Sequence, residues 1–137
     1  MNMKIYGLTK GSEMEKKIAA LAQAEANGTK QYYAMARLAR EQQLPQEVAD
    51  TLERMADQES NHAGFYTVLN GGLPEDLFKM MEQAAKVECS AKKGISPLAD
   101  CLRKMGAEEA ADQVEVFINQ ELHHGEILQE LLKKYRK

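Results

Sequence analysis

Four stretches of this chain carry apolar residues at alternating steps of three and four, the pattern of helices with one buried face, and each stripe is interrupted by a glutamate. The second stretch reads Val48, Leu52, Met55, Glu59, His62, Tyr66, Leu69, and the last reads Ala110, Val114, Phe117, Glu121, His124, Leu128, Leu131. The first runs Met14, Ile18, Leu21, Glu25, Gly28, Tyr32, Met35, Ala39, and the third Leu77, Met81, Ala84, Glu88, Ala91, Ile95, Leu98, Leu102, Met105. A chain so patterned must bring four carboxylates and two imidazoles to one interior. A carboxylate taken out of water either binds a proton or finds a cation. Protonation cannot serve all four, whereas two divalent ions balance four carboxylates and leave the imidazoles neutral.

Composition narrows the alternatives. At 137 residues and 44% hydrophobic, the chain is expected to form one domain over 1–137 with a sizeable core. A net charge of -3 gives no basic footprint for nucleic acid, and no apolar run approaches the roughly 20 residues that span a bilayer. The N-terminal MNMKIYGLTKGS lacks the continuous apolar stretch of a secretory signal, which points to the cytoplasm. Cys89 and Cys101 read as free thiols, and neither belongs to a C-x-x-C pair, so no rubredoxin-like iron site is expected on this chain.

Breakers divide the chain. Gly11-Ser12 opens the first helix, Leu44-Pro45 separates first from second, residues 70–74 separate second from third, and Gly106 separates third from fourth. Pro97 is expected to kink or interrupt the third helix, with the chain resuming at Leu98. Beneath this lies an internal repeat. Glu25 followed by Glu59-x-x-His62 is echoed by Glu88 followed by Glu121-x-x-His124, and the echo extends to Ala36–Arg40 against Ala99–Arg103 and to Glu53 against Glu115. The fold expected is therefore all-α: a four-helix bundle of two similar helical hairpins, each supplying half the ligands.

Residues three apart on a helix share a face, so Glu and His of one Glu-x-x-His can reach the same ion pair. One Glu from each of two helices with Glu-x-x-His from each of the other two is the ligand set of ferritin-like di-iron and di-manganese proteins. Glu59 and Glu121 are assigned as bridging ligands, Glu25 and Glu88 as terminal carboxylates, and His62 and His124 as one nitrogen ligand per ion. Oxygen-rich ligation with a single imidazole suits two iron ions, or manganese, better than copper or structural zinc. His123, about 100° around the helix from His124, reads as a solvent or interface residue. Glu53, Glu115 and Glu126 lie off the stripes and read as solvated faces. Tyr32 and Tyr66 should lie near the metal face as hydrogen-bond donors or core aromatics, with Tyr32 the candidate catalytic residue.

With these residues in hand, nearly the whole chain resembles the rubrerythrin branch of the ferritin-like superfamily. Ala24-Glu25 with Tyr32-Tyr33 and Asp57-Gln58-Glu59-Ser60-Asn61-His62-Ala63 are similar to the family's first two helices. Glu88 with Pro97, and Gln120-Glu121-Leu122-His123-His124, are similar to its last two. The resemblance implies a non-haem di-iron site that reduces hydrogen peroxide or dioxygen using an external electron-donor protein such as a rubredoxin. Rubrerythrins usually carry a further Glu one turn after the third-helix ligand, where this chain has Ala91. That departure keeps open an iron-binding or ferroxidase-type protein without efficient peroxidase turnover. Assembly is the last expectation. In ferritin-like bundles the second and third helices run parallel, and a short connection cannot cover a return of about 32 Å. Unless the third helix starts as late as Met80, two chains should exchange hairpins in a homodimer.

Overall fold

The computed structural model describes residues 4–137; Met1–Met3, where the N-terminal stretch read above begins, lie outside the described residues. All regular structure among them is helical: α1 (Glu15–Glu41), α2 (Gln46–Leu69), α3 (Leu77–Cys89), α4 (Ala91–Lys104) and α5 (Glu108–Tyr135). These are the four rods of the expected all-α bundle pattern, the third broken in two. None is long and apolar enough to cross a membrane. The chain divides into two compact units, Met1–Glu75 and Asp76–Lys137. In the first, α1 packs along α2; in the second, α3 and α4 both pack along α5.

The break in the third rod is not where proline predicts it. Helix α4 runs unbroken through Pro97, and the interruption falls at Ser90, seven residues earlier. There the Ser90 hydroxyl donates to Val87 O at 2.7 Å and its N–H to the same oxygen at 3.1 Å, closing α3 in a tightened last turn. A serine that offers the backbone a local partner ends the helix, whereas a proline within a helix costs one bond whose loss the surrounding turns tolerate. Cys89 and Cys101 consequently lie on different helices, and both are free and exposed.

Helix ends follow the repeat. Gly71 and Gly106, both with positive φ, close α2 and α4: Gly72 N–H donates to Thr67 O and Gly71 N–H to Val68 O, and Ala107 and Gly106 N–H donate likewise to Leu102 O and Arg103 O. This six-to-one, five-to-two pairing satisfies carbonyls that a helix end otherwise leaves unbonded. Helix α1 ends the same way, through Leu44 to Ala39 O and Gln43 to Arg40 O, but the left-handed position is Gln43 at φ 57°. In the register that aligns Glu25 with Glu88, Gln43 stands opposite Gly106. The N-terminal turns serve the same end of α2: Gly7 N–H donates to Val68 O and Thr9 N–H to Leu69 O, each at 3.0 Å, and the Asn70 amide reaches back to Glu15 O at 2.9 Å.

Inside each hairpin the closest packing is made by small residues. Ile18, Ala36 and Ala39 of α1 are buried with Ala49 and Ala56 of α2, and Ala85, Ala91 and Ala99 with Ala111, Ile118 and Gly125 of α5. Ile18, Ala39 and Ala91 lie on the sequence stripes, and the others lie one position beside them. The apolar face is wider than one seam: its alanine edge closes the hairpin, while large residues of the stripes, among them Met35, Met55, Phe117 and Leu131, remain more than a third exposed.

Glu53 and Glu115 are partly solvated, as read, and in addition hold the repeat's arginines. Arg40 meets Glu53 at 2.7 Å, and Arg103 meets Glu115 at 3.0 Å, with Glu108 at 2.6 Å and Asp112 at 3.0 Å on the same guanidinium. Both pairs staple the turn end of a hairpin.

Replacing Gln43 by glycine removes the cost of a side chain in the left-handed region. Thermal or urea unfolding should show a gain of about 1 kcal/mol, part of the steric relief being offset by glycine's freedom in the unfolded chain.

Candidate metal centre

Each hairpin gathers one set of ligands. In the first, Glu25 from α1 and Glu59 and His62 from α2 offer donor atoms that all lie within 4.8 Å of one another; in the second, Glu88 from α3 and Glu121 and His124 from α5 do the same. The helical spacing produces this: Glu and His three apart project from one face, and the alanine contact holds the partner helix's Glu opposite them.

His62 Nδ1 is 3.7 Å from Glu25 Oε2, and His124 Nδ1 is 3.7 Å from Glu88 Oε1 and 3.9 Å from Glu121 Oε2. These spacings are too long for hydrogen bonds. They are those of donors aimed at a common point, since two ligands each about 2.1 Å from one ion lie about 3–4 Å apart. The imidazoles, at 51% and 55% side-chain exposure, leave one side of each set open, while Glu25 and Glu88, at 22% and 23%, form its floor.

The second set shows what it lacks. Oε2 of Glu88 is buried and has no hydrogen-bond partner. The neighbouring Glu121 carboxyl pushes the Glu88 carboxyl above its ordinary range; burial acts in the same sense, and His124 opposes both. Two neighbouring carboxylates, one with an orphaned oxygen, and an imidazole form a donor set suited to a divalent oxygen-seeking cation.

Of the other candidates, Tyr32 and Tyr66 are half-buried on α1 and α2. Tyr66 packs edge-on against Phe65, with ring centroids 6.0 Å apart. His123 is exposed and lies 3.6 Å from Glu126. The sequence reading missed Tyr33, whose hydroxyl donates to Asp57 across α1 and α2, the carboxylate raising the phenol above its ordinary value. It also missed the close approach of α3 to Gly125, next to His124, where an added Cβ would lie 2.7 Å from Cys89 Sγ and 3.4 Å from Glu88 Cβ.

Over 131 residues the chain is 35% identical to an uncharacterised protein of Methanocaldococcus jannaschii, covering 96% of this chain and 92% of that one. Over 137 residues it is 30% identical to reverse rubrerythrin-1 of Clostridium acetobutylicum, covering 96% of this chain and 74% of the relative. The chain belongs to the rubrerythrin family. No protein-family model matches it.

The Gly125 contact gives a test of how Glu88 is held. Gly125→Ala should destabilise the protein by about 1–3 kcal/mol by crowding the Cys89 thiol. Adding Cys89→Ala should recover most of that loss in thermal unfolding.

Proposed function

We propose that the protein is a non-haem di-iron carboxylate oxidoreductase that reduces hydrogen peroxide or dioxygen with electrons from an external donor protein such as a rubredoxin. The observation that carries this reading is the pair of matched ligand sets, one per hairpin, in a member of the rubrerythrin family. Glu25, Glu59 and His62 would hold the ions together with Glu88, Glu121 and His124, iron being the first choice and manganese the second. Two such ions would supply two electrons together, enough to cleave the O–O bond of peroxide or to reduce dioxygen to peroxide.

The protein's own part is electrostatic and positional. Four carboxylates balance two divalent ions and favour their oxidised state, and Glu59 and Glu121 would serve both ions as bridges. Tyr32, two turns beyond Glu25 on α1, is the candidate hydrogen-bond donor to the reacting oxygen. Ala91, where the family usually has a further Glu, favours a second reading: iron binding and ferroxidase action without efficient peroxidase turnover. A cytoplasmic setting accords with the two free thiols.

Anaerobically loaded wild-type protein should hold two ions per pair of ligand sets. Glu59→Ala and Glu121→Ala should each lose both, and full occupancy in either variant refutes the bridging assignment. In stopped-flow mixing, the di-ferrous protein should be oxidised by peroxide or dioxygen faster than free ferrous iron in the same buffer. If it is not, metal binding alone remains.

Assembly is part of the proposal. Helix α2 ends at Leu69 and α3 starts at Leu77, so a parallel arrangement of these helices within one chain requires a return of about 27 Å. Gly71 and Gly72 are folded onto the end of α2, leaving residues 73–76 to extend over about 13 Å. Two chains exchanging hairpins in a homodimer, with the large residues of the stripes as the interface, meet that constraint. Sedimentation should report a dimer, and a monomer that retains both ions rules the exchange out.

A further inference from the structure

Four glycines lie inside helices: Gly28, Gly64, Gly94 and Gly125. None is in the left-handed region, so alanine at each would suit the helix better. Gly64 and Gly94 face open space. The two that are crowded flank the two ligand sets, and they are crowded by different things. A Cβ at Gly125 would meet chiefly the Cys89 thiol, at 2.7 Å, and only the Cβ of the ligand Glu88, at 3.4 Å, not its carboxylate. Gly28 meets a ligand: a Cβ there would lie 3.2 Å from Glu59 Oε2, 3.6 Å from its Cδ and 3.7 Å from its Cγ.

The repeat supplies an internal comparison. Gly28 follows Glu25 by three residues, as Ala91 follows Glu88, so the same register holds glycine in one hairpin and alanine in the other. Where alanine stands, the Glu121 carboxylate lies beside the Glu88 carboxyl and 3.9 Å from His124 Nδ1. Where glycine stands, the Glu59 carboxylate lies over the bare backbone of α1 and makes no ion pair among the described residues.

We infer that Gly28 is a positioning residue of the metal centre, its missing Cβ leaving the space in which the Glu59 carboxylate lies when it binds an ion. The inference rests on the metal-binding function proposed above. A methyl group at position 28 would require the carboxylate to move by a few tenths of an ångström. In the metal-free protein that is easy, because the crowded atoms are the far end of a flexible side chain. A carboxylate fixed by an ion cannot yield in this way, so the cost falls on the metal-bound form alone and appears as lost affinity.

The test is Gly28→Ala, with Gly94→Ala as a control for the general effect of alanine in a helix. Anaerobic titrations with ferrous iron, and with cobalt(II) as a coloured probe, give affinity, and thermal melting of the metal-free proteins gives stability. Gly28→Ala should bind about tenfold more weakly, or worse, as is usual for changes that disturb a ligand's support. Its metal-free form should melt no lower than wild type, and the cobalt spectrum should shift. Gly94→Ala should match wild-type affinity. Unchanged affinity in Gly28→Ala overturns the inference, as does a lower melting temperature of its metal-free form, which would mark a structural role. A wild-type chain that binds neither metal overturns the metal-binding proposal itself, and is distinguishable because it fails before any variant is compared.

Discussion

Carboxylates crowded on the inner edge of paired helices are the constraint on which the rest of this structure depends. Each hairpin sets two glutamates from facing helices beside one imidazole, and in the second a buried oxygen of Glu88 has nothing to accept from. Such a group is costly in isolation, because buried acceptors need donors and like charges resist a common space. What brings the groups together is packing. Alanine and glycine at the hairpin contact let the helices come close, the turn-end arginines hold the helices in register, and the Glu-x-x-His spacing places both donors on one face. Packing energy is thus set against electrostatic repulsion, and a cation between the carboxylates would remove the conflict.

Much of this was legible in the sequence, for identifiable reasons. Helices with long periodic stripes and glycine or proline between them are specified locally, so the rods, their order and the two-hairpin repeat could be read directly. The six candidate ligands emerged because a Glu on an apolar stripe is conspicuous. Less legible was anything decided by a hydrogen bond or by a choice between neighbouring faces. Ser90 ends α3 through its bonds to Val87 O, an event that no periodicity announces, while Pro97, the conspicuous breaker, is accommodated inside α4. The inner contact is made largely by alanines one position off the predicted stripe, with Ala39 and Ala91 on it, because the face is wide and size determines which edge closes. Glu53 and Glu115 lie off the stripe and are partly solvated, and their repetition 13 and 12 residues after Arg40 and Arg103 was the available signal that they also pair.

The two halves of the repeat share a plan but not a stiffness, and this bears on how their ligands can behave. In the first hairpin both ligand helices run continuously past the carboxylates, and Tyr33 ties α1 to Asp57 on α2, two residues before Glu59. In the second, the positions corresponding to Tyr33 and Asp57 are Ser96 and Asn119, and Glu88 sits in the last turn of α3, just before the break at Ser90. A ligand at a helix end, where the backbone ladder stops, is held by fewer backbone bonds than one in a helix interior. Arg103, with three carboxylates against the one that Arg40 holds closely, strengthens the far end of the second hairpin but does not reach its ligands. The repeat thus holds two ligand sets of the same composition, one carboxylate pair on continuous helices and the other beside a joint. Within the second hairpin, a movement at that joint would change the separation of Glu88 from Glu121 and His124.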